Sequence, residues 1–120
     1  MEEVESDNVI VATGSSPLEL PSLPVDHVRV LSSDDALELQ AVPSSLIIVG
    51  GGVIGCELAF IYRAFGSKVT VVEGQNRVLP LPSVDEEISR LLLREMKKKG
   101  IAVELARTVT AATPAFADWK

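Results

Sequence analysis

The pattern of the whole chain is set between residues 46 and 73, which read LIIVGGGVIGCELAFIYRAFGSKVTVVE. The apolar residues Leu46 to Val49 predict a buried strand that runs directly into a glycine-rich turn. The apolar segment after this turn predicts a helix from about Val53 to Phe65, and Gly66 is a typical residue to end it. A second strand is predicted from Val69 to Val72. The succession of strand, helix and strand is typical of a parallel βαβ unit.

The same alternation continues toward the C-terminus. A second helix is predicted from about Val84 to Lys99, and Ser83 and Glu86 have the spacing of a capping box at its start. Acidic residues in its first turn and lysines in its last turn both suit the helix dipole. Gly100 ends this helix, and a third strand is predicted from Ile101 to Leu105. We therefore expect an α/β fold, a Rossmann-like three-layer domain with a parallel sheet and right-handed crossovers.

The N-terminal part is less regular. The apolar, β-branched run from Val9 to Ala12 predicts a further buried strand. Three prolines between residues 15 and 30 predict an extended connector, and Ser33 to Leu39 has the pattern of a short capped helix. The predicted organisation is an acidic, disordered lead at 1–7, a strand and proline-rich connector at 8–45, a βαβαβ unit at 46–110 and a tail at 111–120.

Composition excludes several kinds of partner. The formal net charge of the 120 residues is −6, and four of the negative charges lie before residue 8. No basic face is predicted, so nucleic acid is not an expected partner. The longest uncharged stretch, Leu39 to Cys56, is interrupted by proline and glycine, so no membrane helix is predicted.

The side chains that could carry chemistry are few. Cys56 is the single cysteine, which excludes an internal disulfide, and we interpret it as a small apolar residue of the first long helix. His27 lies in the connector without an evident Ser, Cys or metal-binding partner, and is expected to be exposed. No catalytic residue and no metal site are predicted, and a reducing cytoplasm is the expected compartment.

The glycine-rich turn is the one motif with a chemical interpretation. It has the pattern G-x-G-x-x-G at Gly50, Gly52 and Gly55, it follows a strand and opens a helix, and Glu73 lies 23 positions after its first glycine. Such glycines permit the tight turn, the approach of a pyrophosphate to the backbone, and close packing of the helix on the sheet. The free N–H groups of the helix start would bind the pyrophosphate. The predicted contacts along this turn are Gly50, Gly51, Gly52, Val53, Ile54 and Gly55.

Glu73 predicts which dinucleotide binds. A carboxylate at the end of the second strand accepts hydrogen bonds from ribose hydroxyls and repels a 2′-phosphate, so NAD is expected rather than NADP. Arg77 is the nearest cation after it. Two alternatives stay open: the glycines form a tight turn and nothing more, or the same turn holds FAD or S-adenosylmethionine.

Several spaced motifs resemble one family. The chain resembles the NAD-binding domain of the flavin-dependent pyridine nucleotide–disulfide oxidoreductases, most nearly the dihydrolipoyl dehydrogenases, over about residues 8–110. The matching segments are Val9–Ser15 with Pro17, Leu31–Ser33, Ile47–Glu57, Gly66–Glu73 and Arg77–Pro80. The resemblance implies that Thr13, Gly14 and Ser15 form a turn beside the FAD of a full-length parent. It also implies that Glu57 points toward the nicotinamide and flavin, although a dipole-favoured surface glutamate is an equal alternative, and that Val109 lies near the adenine.

The departures from this family bear on activity. The family's C-x-x-x-x-C disulfide, its FAD-binding glycine motif and its C-terminal His-Glu pair have no counterpart here. We therefore expect a domain truncated relative to the family's, which binds NAD(H), works with the remaining domains of a flavoprotein and has no turnover alone. The alternative is a free-standing NAD-binding or interaction module without chemistry. Truncation also predicts a free edge beside Leu46–Val49, covered by Val9–Ala12 or, failing that, by a second copy in a homodimer.

Overall fold

A computed structural model describes residues 3–112 of the chain. The tail predicted at 111–120 falls almost entirely outside the described residues. The element order is α1 (Ser33–Glu38), β1 (Ser45–Val49), α2 (Val53–Ala64), β2 (Lys68–Glu73), α3 (Glu86–Lys98) and β3 (Ala102–Leu105). The three strands form one sheet in the order β1-β2-β3, and both pairs are parallel. The predicted Rossmann-like α/β arrangement is confirmed.

The register of the sheet determines which side chains enter the core. Ile48 of β1 pairs with Val71 of β2, which in turn pairs with Val103 of β3. The side chains of Ile48, Val71 and Val103 therefore lie on the same face of the sheet, where they pack with α2 and α3 into one cluster. The buried members of this cluster are Cys56, Ala59, Tyr62, Val69, Val71, Val78, Met96 and Ile101. Because alternate residues of a strand point to opposite faces, Ile47 lies on the other side, where it is 69% exposed. Among the described residues, the helical layer therefore covers one face of the sheet, which gives two layers where the sequence predicted three.

Both long helices end as the glycines predict. After α2, the Ser67 N–H donates to the Tyr62 carbonyl and the Gly66 N–H donates to the Arg63 carbonyl. After α3, the Ile101 N–H donates to the Met96 carbonyl and the Gly100 N–H donates to the Lys97 carbonyl, in the same pattern. This paired arrangement satisfies carbonyls that the helix leaves unpaired. It also reverses the chain, so that each helix leads directly into the next strand.

The predicted strand at Val9–Ala12 is wrong. These residues belong to no strand, and Ile10 is 91% exposed. They therefore do not cover the free edge of β1, which pairs with β2 alone among the described residues. An apolar run forms a strand only when a neighbouring strand accepts its backbone hydrogen bonds, and the described part of the chain provides none for this run.

The predicted start of the second long helix is also wrong. Helix α3 begins at Glu86, and its N-cap is Asp85, whose carboxylate accepts from the Glu87 N–H at 2.8 Å. Ser83 lies in a preceding turn, where the Val84 N–H donates to the Leu81 carbonyl. The N-cap is therefore two residues later than predicted, and Ser83 does not cap the helix.

The connector is held by short-range hydrogen bonds. Helix α1 has a capping box in which Ser32 and Asp35 bond each other's backbone N–H groups, so the predicted short helix is confirmed. The hydroxyl of Ser32, followed by its N–H and by His27, lowers the pKa of Asp35 to about 2. His27 is exposed, as predicted, but it has a partner: its Nδ1 lies 3.0 Å from the Asp35 carboxylate. The Tyr62 hydroxyl donates to the Ala36 carbonyl and so joins α1 to α2.

No helix among the described residues is long and apolar enough to cross a membrane. Within residues 3–112, no three His, Cys, Asp or Glu side chains are grouped so that they could bind a metal ion.

Candidate functional site

The glycine-rich turn connects β1 to α2 at the carboxyl end of the sheet. Gly50 continues the ladder, since its N–H donates to the Val72 carbonyl at 2.8 Å, and its φ of +110° then turns the chain away from the strand. Such a φ favours glycine. Gly55 is required for a different reason, because a Cβ built there would lie 2.1 Å from the Gly50 carbonyl oxygen. Helix α2 and the turn thus meet at a distance that only a glycine permits.

Gly51 is held by hydrogen bonds at both its N–H and its carbonyl group. The Gly51 N–H donates to Oε2 of Glu73 at 2.6 Å. Its carbonyl accepts from the Leu79 N–H at 2.7 Å and from the Cys56 thiol at 3.4 Å. Two peptide groups of the turn are therefore fixed by neighbouring segments. The turn is ordered by the protein itself.

Gly52 faces open space. A Cβ built on Gly52 would have no heavy atom within 4 Å. Gly52 is the N-cap of α2 and offers no side chain to its first turn. The N–H groups of that turn belong to Val53, Ile54 and Gly55, which have no intrahelical acceptor. The positive end of the helix dipole adds to them, so this position suits an anion.

Glu73 lies directly beside the turn. Its Oε1 accepts from the Gln75 N–H at 2.7 Å, while its Oε2 accepts from Gly51. The residue is only 7% exposed. Each carboxylate oxygen can accept a further hydrogen bond, so the group can order the turn and still receive a hydroxyl at its exposed edge. The sequence predicted the second of these roles and missed the first.

The Arg77 guanidinium is engaged by acceptors that follow it in the chain. Its guanidinium donates to the carbonyls of Leu81 and Val84 and to the Ser89 hydroxyl, each at 3.0 Å. The guanidinium thus holds the loop between β2 and α3. It does not supply a free cation next to Glu73.

The structure gathers some of the other predicted residues and leaves others apart. Glu57 is exposed on α2, one turn after the glycines. Val109 is half-buried in the segment after β3, which runs past the end of β2 because the Arg107 N–H donates to the Glu73 carbonyl at 3.0 Å. Thr13, Gly14 and Ser15 are exposed, and among the described residues no hydrogen bond joins them to the glycine-rich turn.

Cys56 lies beneath the turn and is 4% exposed. Burial, with a smaller contribution from the Glu73 charge, raises the pKa of its thiol to about 11. The thiol is therefore protonated near neutral pH and makes a weak hydrogen bond to Gly51. This agrees with the prediction that Cys56 acts as a small packing residue.

Comparisons with known proteins identify the family of this arrangement. A family model described as pyridine nucleotide-disulphide oxidoreductase matches residues 1–116. A dihydrolipoyl dehydrogenase of Bacillus subtilis is 43% identical over 118 residues, which are 97% of this chain and 25% of that protein. Another dihydrolipoyl dehydrogenase of the same organism is 54% identical over 93 residues, or 78% of this chain and 19% of that protein.

Solved structures agree with the sequence relatives. The crystal structure of LpdA from Mycobacterium tuberculosis superposes with a TM-score of 0.72 at 34% identity, over 82% of this chain and 21% of that one. The chain thus spans a quarter or less of the length of these relatives. The model match over nearly the whole chain and the identities above 40% show that the chain belongs to the pyridine nucleotide-disulphide oxidoreductase family.

Proposed function

We propose that residues 46–110 bind NAD(H) and form the dinucleotide-binding domain of a dihydrolipoyl dehydrogenase-like flavoprotein. The observation that carries this proposal is the glycine-rich turn. Its Gly51 is held by hydrogen bonds to Glu73 and Leu79, it is open at Gly52, and it leaves the first-turn N–H groups of α2 without intrahelical acceptors. A pyrophosphate fits this chemistry, because backbone N–H groups at a helix start are a common binding site for phosphate.

Glu73 supports the choice of NAD over NADP. Both oxygens of this buried carboxylate accept backbone N–H groups, so its position beside the glycine-rich turn is fixed. A ribose with free hydroxyls can donate to such a group, whereas a 2′-phosphate would meet its negative charge. The hydrogen-bonded Arg77 offers no compensating cation there.

In this proposal the chain positions a cofactor and does not itself react. NAD supplies the hydride acceptor when bound, and the flavin that would exchange hydride with it belongs to the full-length parent. Thr13, Gly14 and Ser15 would face that FAD, Glu57 would lie toward the nicotinamide and Val109 toward the adenine. We expect no dehydrogenase turnover from the 120-residue chain, and place the parent protein in the cytoplasm. NADH–lipoamide activity of the purified chain without an added flavoprotein would contradict this expectation.

The test of binding is a calorimetric titration of the chain with NADH and, separately, with NADPH. We expect NADH to bind more tightly, and Glu73→Ala to weaken NADH binding by about 1.5–3 kcal/mol, the range of a hydrogen bond to a charged group. Glu104→Ala, which removes an exposed acid from β3, is the matched control and is expected to bind NADH like the unmodified chain.

The NADPH arm separates the two roles of Glu73. If the carboxylate selects the ribose, Glu73→Ala weakens NADH binding more than NADPH binding. The ratio of the two dissociation constants then moves toward one. If the carboxylate only orders Gly51, both affinities fall by the same factor. A folded chain that binds neither dinucleotide would favour the alternative, a free-standing interaction module without chemistry.

The free edge of β1 supports a further partner. Ile47 and Val49 are exposed on a strand that has a neighbour on one side only among the described residues, and unpaired strand edges readily recruit another strand. We propose that further domains of the parent cover this edge, and that a second copy covers it in the isolated chain. Sedimentation of the chain with and without Ile47→Lys tests the homodimer: we expect the substitution to give monomers, and a wild-type chain that is monomeric at high concentration contradicts it.

A further inference from the structure

The loop between β2 and α3 makes a direct contact with the glycine-rich turn. The Leu79 N–H donates to the Gly51 carbonyl at 2.7 Å. This bond fixes the carbonyl of Gly51, whereas Glu73 fixes its N–H. Leu79 has a φ of +48°, a left-handed conformation that side chains with a Cβ rarely adopt. The loop must therefore be held in place by something other than the local preference of Leu79.

Arg77 supplies that restraint. Its three hydrogen bonds, to the carbonyls of Leu81 and Val84 and to the Ser89 hydroxyl, enclose the turn that follows Leu79. Ser89 is 2% exposed in α3, so it ties the guanidinium to a rigid element. The planar, five-donor guanidinium can satisfy several acceptors at once in a fixed geometry, which a lysine ammonium on a flexible stem does less well.

The contact has a consequence for the ligand side of the turn. The Gly51 carbonyl and the Gly52 N–H belong to one trans peptide group, since the described backbone contains no cis peptide bond. In a trans peptide the C=O and N–H point in opposite directions. When Leu79 holds the Gly51 carbonyl, the Gly52 N–H is directed away from Leu79.

We propose that Arg77 is a positioning residue for the dinucleotide: it holds Leu79 against Gly51 and thereby sets the orientation of the Gly52 N–H. This inference rests on the proposed function for its ligand. Arg77 makes no hydrogen bond to residues 50–55 among the described contacts, and it acts through the loop between β2 and α3.

The test compares Arg77→Lys with a matched control, Arg63→Ala. Arg63 also bonds a backbone carbonyl, that of Lys99 at 2.9 Å, but it lies at the opposite end of α2 from the glycines. Two measurements are made on each variant of the 120-residue chain: the exchange rate of the Leu79 amide hydrogen by NMR without ligand, and the dissociation constant for NADH. Circular dichroism establishes that each variant is folded.

We expect Arg77→Lys to speed Leu79 exchange and to weaken NADH binding, each by about tenfold, which is the equilibrium equivalent of one good hydrogen bond. Arg63→Ala leaves both quantities within about twofold of the unmodified chain. Ser89→Ala removes one of the three acceptors and gives a smaller change in the same direction, which keeps the test available if Arg77→Lys does not fold.

Three results would overturn the proposal. One is unchanged Leu79 exchange in folded Arg77→Lys, another is faster exchange with unaltered NADH affinity, and the third is an equal loss of affinity in Arg63→Ala. If the unmodified chain does not bind NADH, the proposed function fails, and Leu79 exchange still decides whether Arg77 holds the turn.

Discussion

Substitution of Gly55 by alanine tests how closely α2 approaches the turn that precedes it. The added Cβ would lie 2.1 Å from the Gly50 carbonyl oxygen, 3.2 Å from its carbon and 3.3 Å from Cγ2 of Ile48. Two of these atoms are backbone, so no side-chain rotation relieves the contact. The start of the helix or the Gly50 peptide has to move by about 1 Å to restore ordinary van der Waals separation.

The expected cost follows from two opposing effects. Overpacking by one methyl group costs about 1–3 kcal/mol, and a backbone contact places this substitution at the upper end. Alanine is favoured over glycine inside a helix by about 1 kcal/mol, which offsets part of the loss. We expect Gly55→Ala to lower the free energy of unfolding by about 2 kcal/mol, or the melting temperature by roughly 8 °C in a domain of this size.

Gly52→Ala is the matched comparison, because its Cβ would meet no atom within 4 Å. We expect it to cost about 0.5–1 kcal/mol, since alanine is a poorer N-cap than glycine, while it weakens NADH binding by obstructing the pyrophosphate. Urea unfolding followed by circular dichroism measures both variants. The explanation is refuted if Gly55→Ala is as stable as the unmodified chain, or if Gly52→Ala is the less stable of the two.

Two further predictions concern titratable groups. The pKa of Asp35 lies at about 2, below its ordinary 3.8. The contribution of its carboxylate to the cap of α1 is therefore complete above about pH 4 and is lost as the pH falls through about 2. The NMR chemical shift of the Ser32 amide should change in that interval, and a midpoint near pH 3.8 would contradict the expectation. Because the pKa of the buried Cys56 thiol is raised to about 11, a thiol reagent at pH 8 should label the folded chain far more slowly than the chain in urea. Equal rates in the two conditions would show that the thiol is accessible.

The helices and strands of the βαβαβ unit could be predicted because several local signals agree there. Helix α2 has an apolar segment, a glycine start and a glycine stop, and the structure places it at Val53–Ala64, as expected within one residue. The strands are short apolar runs that alternate with α2 and α3, which makes a parallel sheet the consistent solution. Where each local preference supports the same architecture, sequence alone is sufficient.

The two wrong predictions share a cause, because each depended on partners that a local pattern does not show. Val9–Ala12 has the composition of a strand, but a strand requires a neighbour, and the described residues give it none. Ser83 and Glu86 have capping-box spacing, but Arg77 bonds the carbonyls of Leu81 and Val84 and stabilises a turn where the helix was expected to begin. These bonds from Arg77, to carbonyls four and seven residues further along the chain, fix a turn where a local capping motif worth about 1 kcal/mol would start a helix.

The candidate site shows the same division. Glycine spacing and an acidic residue after the second strand identify the turn and Glu73, because these are constraints on single residues. The hydrogen bonds that order the turn come from Glu73 and from Leu79, and the second of these depends on a left-handed leucine that no sequence pattern predicts. Such a residue has no local signature, because its effect depends on a backbone hydrogen bond between separate segments.

This order has an energetic meaning for binding. A flexible glycine-rich segment loses more conformational entropy on binding than any other, at about 1–2 kcal/mol for each residue that becomes fixed. Because Glu73 and Leu79 hold Gly51 by hydrogen bonds within the chain, the cost of fixing this residue belongs to folding rather than to binding. If the turn binds a dinucleotide as proposed, the affinity depends on how well the N–H groups from Gly52 to Gly55 are oriented. Substitutions that release the Gly51 carbonyl from Leu79 should therefore weaken the proposed dinucleotide binding, although they change none of the residues proposed to contact the ligand.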